Sequence, residues 1–320
     1  MLGRFKHWQR KQRGLAILMA LLVMSLASML AVSLASNQLI FYRRTKNILY
    51  YEQAYQYMLG AEDWGKQILA RDLSDNKTDS FQDIWAKVLP PIPVDGGSVG
   101  GSIEDLQGRF NINNLADPSD KASLDAFREL LRINKLSPDL ANAVLDWLDA
   151  DQQTRFPDGA EDVDYMQRER AYRADNGLMG SVSELLYIKG FDYKTYAALA
   201  PALVALPTTG TQVNVNTASP LVLRMLIKGL SEANAEQLAK ELAKKPVSNI
   251  KDFLADSLIK GKPVSTSAID VSSNYFMIHA YAKIGSSDNS ASDVRATLDS
   301  MIHRVSDKDV KTLQRSQGGM

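Results

Sequence analysis

The sequence predicts an α+β protein with one very long N-terminal helix, an antiparallel sheet, and a large all-helical domain inserted between strands. Three observations lead there. Leu15 to Tyr42 is 28 residues without a charge or a proline, and helical spacing continues past it. After Ser272 the pattern switches to the period-two alternation of a half-buried strand. Between these, from Pro118 on, apolar residues recur at helical spacing in short blocks broken by Pro, Gly and Ser.

The uncharged run exceeds the ~20 residues that a helix needs to cross a bilayer core. Arg4, Lys6, Arg10, Lys11 and Arg13 precede it with no acid, which by the positive-inside rule leaves the short N-terminus in the cytoplasm and everything after Tyr42 outside it. A secretory signal peptide cut after Ser33-Leu34-Ala35 and an uncut single-pass anchor are two readings of this stretch. From Arg43 to Leu73 there is no proline, and Ile48, Tyr51, Tyr55, Met58, Leu59, Ile68 and Leu69 mark one face. Gly60 and Gly65 cost the helix about 1 kcal/mol each relative to Ala. A continuous helix from Leu15 to Leu73 would be about 90 Å long, suited to lipid in its first half and to a sheet in its second.

Composition removes several function classes. The chain has 320 residues, 45% of them hydrophobic, enough for one large or two modest cores. Removing the five bases before Gly14 leaves 32 basic against 37 acidic residues, a net of −5, which disfavours nucleic acid. With no cysteine there are no disulfides, thiolate sites or cysteine nucleophiles. His7, His279 and His303 are too scattered to form a set, and nucleophile, general-base and phosphate-loop motifs are missing, so no enzyme is expected.

Asp72 to Asp83 reads as loop, followed by a short apolar turn from Phe81 to Leu89 that Pro90, Pro91 and Pro93 end. Gly96-Gly97 and Gly100-Gly101 predict a flexible turn, and Ser102–Gln107 and Arg109–Ile112 two strands hinged at Gly108. Helices are expected over Asp120–Ile133, after Ser137-Pro138 with Ser137 as N-cap, from Ser181 or Ser183, and over Tyr193–Val204. Lys240 to Lys262 is polar, anchored by Phe253, Leu254 and Leu258. The C-terminal strands form a hairpin: Tyr275, Met277, His279 and Tyr281 on one face, Phe276, Ile278, Ala280 and Lys283 on the other, a polar turn over Gly285–Ser292, then Val294–Val305.

Chemistry concentrates in one loop. Asp146-Trp147-Leu148-Asp149-Ala150-Asp151-Gln152 precedes Asp158-Gly159-Ala160-Glu161-Asp162-Val163-Asp164, placing seven acids against the single base Arg155. Hard oxygen ligands on a flexible loop suit calcium, which takes six to eight of them. The loop is no EF-hand, since the sixth place from Asp149 is Thr154 and the twelfth is Ala160. A solvated turn with helix-capping Asp residues is the other reading of the same pattern.

Tyr187-Ile188-Lys189-Gly190 recurs 39 residues on as Leu226-Ile227-Lys228-Gly229. With Val213–Ser219 this is similar to helix-hairpin-helix or SAM-like modules. Gly229-Leu230-Ser231 lacks the second glycine of a DNA-gripping hairpin and Gly190-Phe191-Asp192 puts an acid there, so the repeat reads as packing units.

Arg10-Lys11-Gln12-Arg13-Gly14 before an apolar helix resembles the leader of type IV pilins and pseudopilins. That resemblance implies cleavage between Gly14 and Leu15 by a prepilin peptidase and N-methylation of Leu15. The fifth mature residue is then Met19, where most of the superfamily carries glutamate, a departure that marks its K-type minor pseudopilins of type II secretion. Gly108-Arg109-Phe110-Asn111-Ile112-Asn113-Asn114-Leu115 and the acidic block resemble the same family. The resemblance implies a pilin-like fold with a leader over 1–14, a membrane helix over 15–42, a pilin part over 43–116, a helical insertion over 117–269 and a second pilin part over 270–320. It implies a structural Ca2+ held by Asp149, Asp151, Glu161, Asp162 and Asp164, with Gln152 as a further ligand and Asp146 in support or on the helix surface. It also implies a non-enzymatic role at the tip of an inner-membrane pseudopilus, with the domain in the periplasm. The partners would be I- and J-type minor pseudopilins, the major pseudopilin fibre and the secretion platform.

Overall fold

The computed structural model describes residues 5–88, 90–285 and 293–319, so the turn expected over Gly285–Ser292 falls, from 286 on, outside the described residues. Helix α1 (Phe5–Asp75) runs unbroken for 71 residues. Residues 14–45 of it are exposed all round, and this segment is long and apolar enough to cross a membrane. From there Ala54, Met58, Glu62, Gly65, Leu69 and Asp72 form one buried stripe at spacings of three and four. Ile48 lies outside that stripe at 62% exposure, because the sheet ends before reaching it. Gly65 lets the helix approach closely: an added Cβ would lie 2.7 Å from Ile278 Cδ1.

The stripe packs on a five-stranded antiparallel sheet built from β1 (Ile92–Val94), β2 (Gly97–Asp105) and three C-terminal strands. The glycines expected to form a flexible turn are split between two roles. Gly96, at φ +76°, makes the β1–β2 turn, while Gly97, Gly100 and Gly101 lie within β2. Gly100 is covered by the ring of Tyr281, whose hydroxyl would be 2.5 Å from a Cβ there. The chain then leaves the sheet. Leu106–Gly108 is a 3-10 turn and β3 (Phe110–Asn111) pairs inside the insertion, so Arg109–Ile112 is not the second sheet strand the sequence suggested.

Within the insertion, Asp120 caps α2 (Lys121–Ile133) through the Ser123 N–H at 3.0 Å. α3 (Leu140–Leu148) starts two residues later than expected; Ser137 accepts only from the Asp139 N–H at 3.3 Å, and Asp139 stands at the N-cap. α4 (Asp162–Met166) and a 3-10 helix over Val182–Tyr187 follow. α5 (Tyr193–Leu199) stops short of Val204 because Pro201 cannot extend the ladder, and β4 (Leu203–Val204) pairs in parallel with β3. A second set repeats the plan: β5 (Val213–Asn214), α6 (Pro220–Leu226), α7 (Glu232–Lys244), α8 (Ile250–Leu254) and β6 (Ile269–Asp270), which pairs in parallel with β5. Gly190 and Gly229, the ends of the sequence repeat, take the same left-handed turn at φ +87° and +77°. Both sets share one core that includes Phe127, Leu130, Val144, Trp147, Leu199 and Leu223.

The sheet is completed by β7 (Tyr275–Ile284), β8 (Val294–Ser306) and β9 (Asp309–Gly319). Phe276, Ile278, Ala280, Ala282 and Ile284 turn to α1, and strict alternation puts Lys283 with Met277 and His279 instead. β9 was not expected; its polar residues and edge position disguise it.

Two polar clusters bind α1 to these strands. Glu62, 1% exposed, accepts from Arg315 Nε (2.7 Å), Thr312 Oγ1 (2.6 Å) and Ser300 Oγ (2.7 Å). Burial alone would raise its pKa, but those donors and Lys66 outweigh burial and hold it at about 2. At the helix end, Arg304 Nη2 donates to both oxygens of Asp79 (2.7 and 2.6 Å) and to Ser273 O (2.7 Å), while Nη1 reaches Leu69 O (3.3 Å) and Asp72 (3.4 Å). Burial and the charges of Asp83 and Asp79 push Asp72 up to about 7, against the pull of Arg304. The insertion joins here: Asn214 Nδ2 donates to Asp79 O (3.0 Å) and Asp105 Oδ2 (2.9 Å), and Ser273 Oγ to Asp105 Oδ2 (2.7 Å).

Two outcomes are expected. Arg304→Met strands buried Asp79 and should cost roughly 3–5 kcal/mol in chemical denaturation. Glu62, with its pKa depressed from 4.5 to about 2, adds stability above pH 4.5 that is lost as pH falls through about 2. That contribution is on the order of 3 kcal/mol at neutral pH, and Glu62→Gln should flatten the acid limb of a stability–pH profile.

Candidate metal centre

The acidic loop is built outward from the end of α3. Val144, Trp147 and Leu148 face the core, which turns Asp146 inward to 0% exposure, off the helix surface. Its carboxylate accepts from the Arg155 N–H (3.1 Å), the Ala160 N–H (2.9 Å) and Arg155 Nη1 (2.7 Å), tying the far side of the loop to the helix. Asn142 adds a bond to Pro157 O at 2.8 Å. Gly159 is required by close approach, since a Cβ would lie 2.3 Å from Asp146 Oδ2.

This folding gathers part of the expected ligand set. One ligand oxygen from each of Asp149, Asp151 and Glu161 lies within 4.8 Å of the others. Asp149 accepts from the Asp151 N–H (3.2 Å) and Asp151 from the Gln153 N–H (2.7 Å), so successive Asx-turns aim the two carboxylates. Glu161 is 1% exposed, yet neither carboxylate oxygen has a hydrogen-bond partner among the described residues. Burial, then the charges of Asp146, Asp149 and Asp151, push its pKa up to about 7. A buried carboxylate without a donor costs several kcal/mol unless a cation meets it, so the donor set fits a hard divalent ion.

The other expected ligands have different partners. Asp162 Oδ1 accepts from the Ala174 N–H at 3.0 Å. Asp164 accepts from the Glu161 N–H (3.3 Å) and Lys189 Nζ (3.4 Å), closing the first turn of α4 behind Glu161. Gln152 is exposed beside Asp151. Trp147 of α3 and Tyr165 of α4 meet edge to face, ring centroids 5.4 Å apart, and Tyr172 stacks on Tyr165 at 5.3 Å.

A second acidic group, Asp72, Asp79 and Asp83, is equally close-set and was not foreseen. It already holds a cation, the Arg304 guanidinium, which no local pattern brings next to Asp72 across 232 residues. The asparagines of the Gly108–Leu115 motif are likewise structural. Asn113 Nδ2 donates to Met179 O (2.9 Å) and Leu206 O (2.8 Å), and Asn111 Oδ1 accepts from the Leu206 N–H (3.0 Å). Asn216 clamps Val247 in the second set by the same two-way bond, at 2.9 and 3.1 Å.

These paired modules match known sequences. Two models described as type II secretion system protein K match residues 108–208 and 213–272, one for each module. The type II secretion system protein K of Aeromonas hydrophila is 31% identical, over 97% of this chain and 98% of its own length. This chain belongs to the protein K family of type II secretion. The protein K of Pseudomonas aeruginosa is 30% identical over 97% of this chain and 94% of its own. A chain of the GspK–GspI–GspJ complex from enterotoxigenic Escherichia coli superposes with a TM-score of 0.73, over 86% of this chain and 99% of that one. At 24% identity that likeness bears on the fold, and the K-family architecture is the α+β arrangement described above. The relatives are components of a secretion system.

Proposed function

We propose that this chain is a minor pseudopilin at the tip of the type II secretion pseudopilus, where it nucleates the fibre for export of folded exoproteins. The observation that carries the proposal is α1, whose lipid-length exposed segment continues without a break into the buried stripe under the sheet. That is how a subunit held first in a membrane and then in a fibre must be built. Cleavage after Gly14 frees Leu15 as the methylated N-terminus. Met19, 62% exposed on the helix, offers no carboxylate to a subunit above it, as suits the end of a fibre. The positive flank puts the N-terminus in the cytoplasm and the domain in the periplasm. I- and J-type minor pseudopilins are the proposed partners, on the strength of the complex in which the structural relative was solved. The major pseudopilin fibre below, the prepilin peptidase and the inner-membrane platform complete the set.

In the same reading a structural calcium sits at Asp149, Asp151 and Glu161, with the orphaned Glu161 carboxylate as its principal support. Asp162 and Asp164, once their present partners yield, and the exposed Gln152 complete the proposed ligand set.

Mass spectrometry of the protein from its host should find a chain that starts at methylated Leu15; an intact Met1 or a start near Ser36 would overturn the pseudopilin assignment. Calcium at 100 times its Kd should stabilise the detergent-solubilised chain by about 2.7 kcal/mol. Thermal melts should lose that gain in chelator and in the Glu161→Gln and Asp151→Ala variants.

A further inference from the structure

We propose that Arg155 is an internal counter-cation of the acidic loop, competing with the metal for Asp149 and thereby setting the affinity of the site. This rests on the calcium reading above and goes beyond it by assigning a residue that weakens binding. Arg155 is the only base between Asp146 and Asp164, against seven acids. Its Nη1 lies 2.7 Å from Asp146 Oδ1 and also contacts Asp149 Oδ2. Asp149 is one of the three gathered carboxylates, so guanidinium and metal share a ligand.

The opposite role, a guanidinium that arranges Asp149 for the metal, has to be weighed. Other groups already do that arranging. Asp149 is placed by its own N–H on Leu145 O (3.0 Å) and by the Asp151 N–H on its carboxylate. The loop is pinned to Asp146 by the backbone N–H groups of Arg155 and Ala160, bonds that survive any change of the Arg155 side chain. Lys189, another cation beside the loop, donates to Gly159 O and Asp164 and is bonded to none of the three gathered carboxylates. What the Arg155 side chain alone supplies is positive charge. Without metal that charge offsets the repulsion among Asp146, Asp149 and Asp151. Beside a divalent ion it is repulsive, and partial burial keeps the repulsion from being screened as it would be at an open surface. At 35% exposure the guanidinium has a path into water when displaced.

Calorimetric titration of calcium into the chelator-stripped full-length protein in detergent tests this, with Arg155→Gln, Arg155→Lys and Glu161→Gln alongside the natural chain. Arg155→Gln should bind calcium on the order of tenfold more tightly or better, the scale of one unit charge removed beside a divalent ion. The same variant should melt lower than the natural chain in chelator and close that gap in saturating calcium. Arg155→Lys, which keeps the charge on a shorter side chain and as a more strongly hydrated ammonium, should fall between the two and decides the matter if Arg155→Gln fails to fold without metal. Affinity equal to or weaker than that of the natural chain in the folded variants overturns the competition. If the natural chain binds and Glu161→Gln does not, that failure leaves the calcium site standing; if neither the natural chain nor the Arg155 variants take up calcium, both assignments fall.

Discussion

The buried guanidinium of Arg304 is the constraint on which the arrangement of this protein depends. At 1% exposure it draws together the last turn of α1, the Asp72–Asp83 segment and the start of β7. Phe276 lies under it at 4.6 Å, so the charge is enclosed by a ring on one side and carboxylates on the other. Such a cluster is weak evidence for net stability, because desolvation consumes much of its Coulombic gain. Asp79 and Asp105 bond to Arg304, Ser273, Asn214 and Thr217 in one continuous network, so the sheet and the insertion can meet in only one register.

The insertion rests on a second constraint of the same kind at smaller scale. Its two modules each open with a short strand, and an asparagine two residues past the strand closes a loop by paired amide bonds, Asn113 to Met179 and Asn216 to Val247. An amide that both donates and accepts satisfies a buried loop without burying charge. The acidic loop then hangs from the first module, anchored by one buried carboxylate, Asp146. The two buried carboxylates of this region differ in their partners: Asp146 accepts from Arg155 and Ala160, whereas neither oxygen of Glu161 has a hydrogen-bond partner among the described residues.

Much of this was legible in the residues. The unbroken helix follows from a proline-free chain with apolar spacing from Leu15 onward, and the alternation of β7 and β8 can be read residue by residue. The acidic centre was visible as charge density, although charge density could not say that Asp162 and Asp164 would cap and brace α4 while Asp149, Asp151 and Glu161 converged. The misses have physical causes. The glycines of β2 look like a flexible turn because their reason, the Tyr281 ring and the β7 backbone, lies some 180 residues away. β9 escaped because an exposed edge strand needs no apolar face. Arg304 and Glu62 owe their partners to tertiary packing, for which one chain's local pattern carries no signal.

The close seating of α1 has a mechanical corollary. A helix fastened along its buried stripe, with Glu62 midway and Arg304 near the end, cannot slide along its own axis without breaking several short bonds together. A push delivered to the membrane end would load those bonds in shear rather than one by one. The stroke would reach the insertion at nearly full length, because the Asp79–Asn214–Asp105 junction sits where the rod ends. The long helix and the insertion are thus fastened to the sheet as one piece, the helix through Glu62 and Arg304 and the insertion through Asn214.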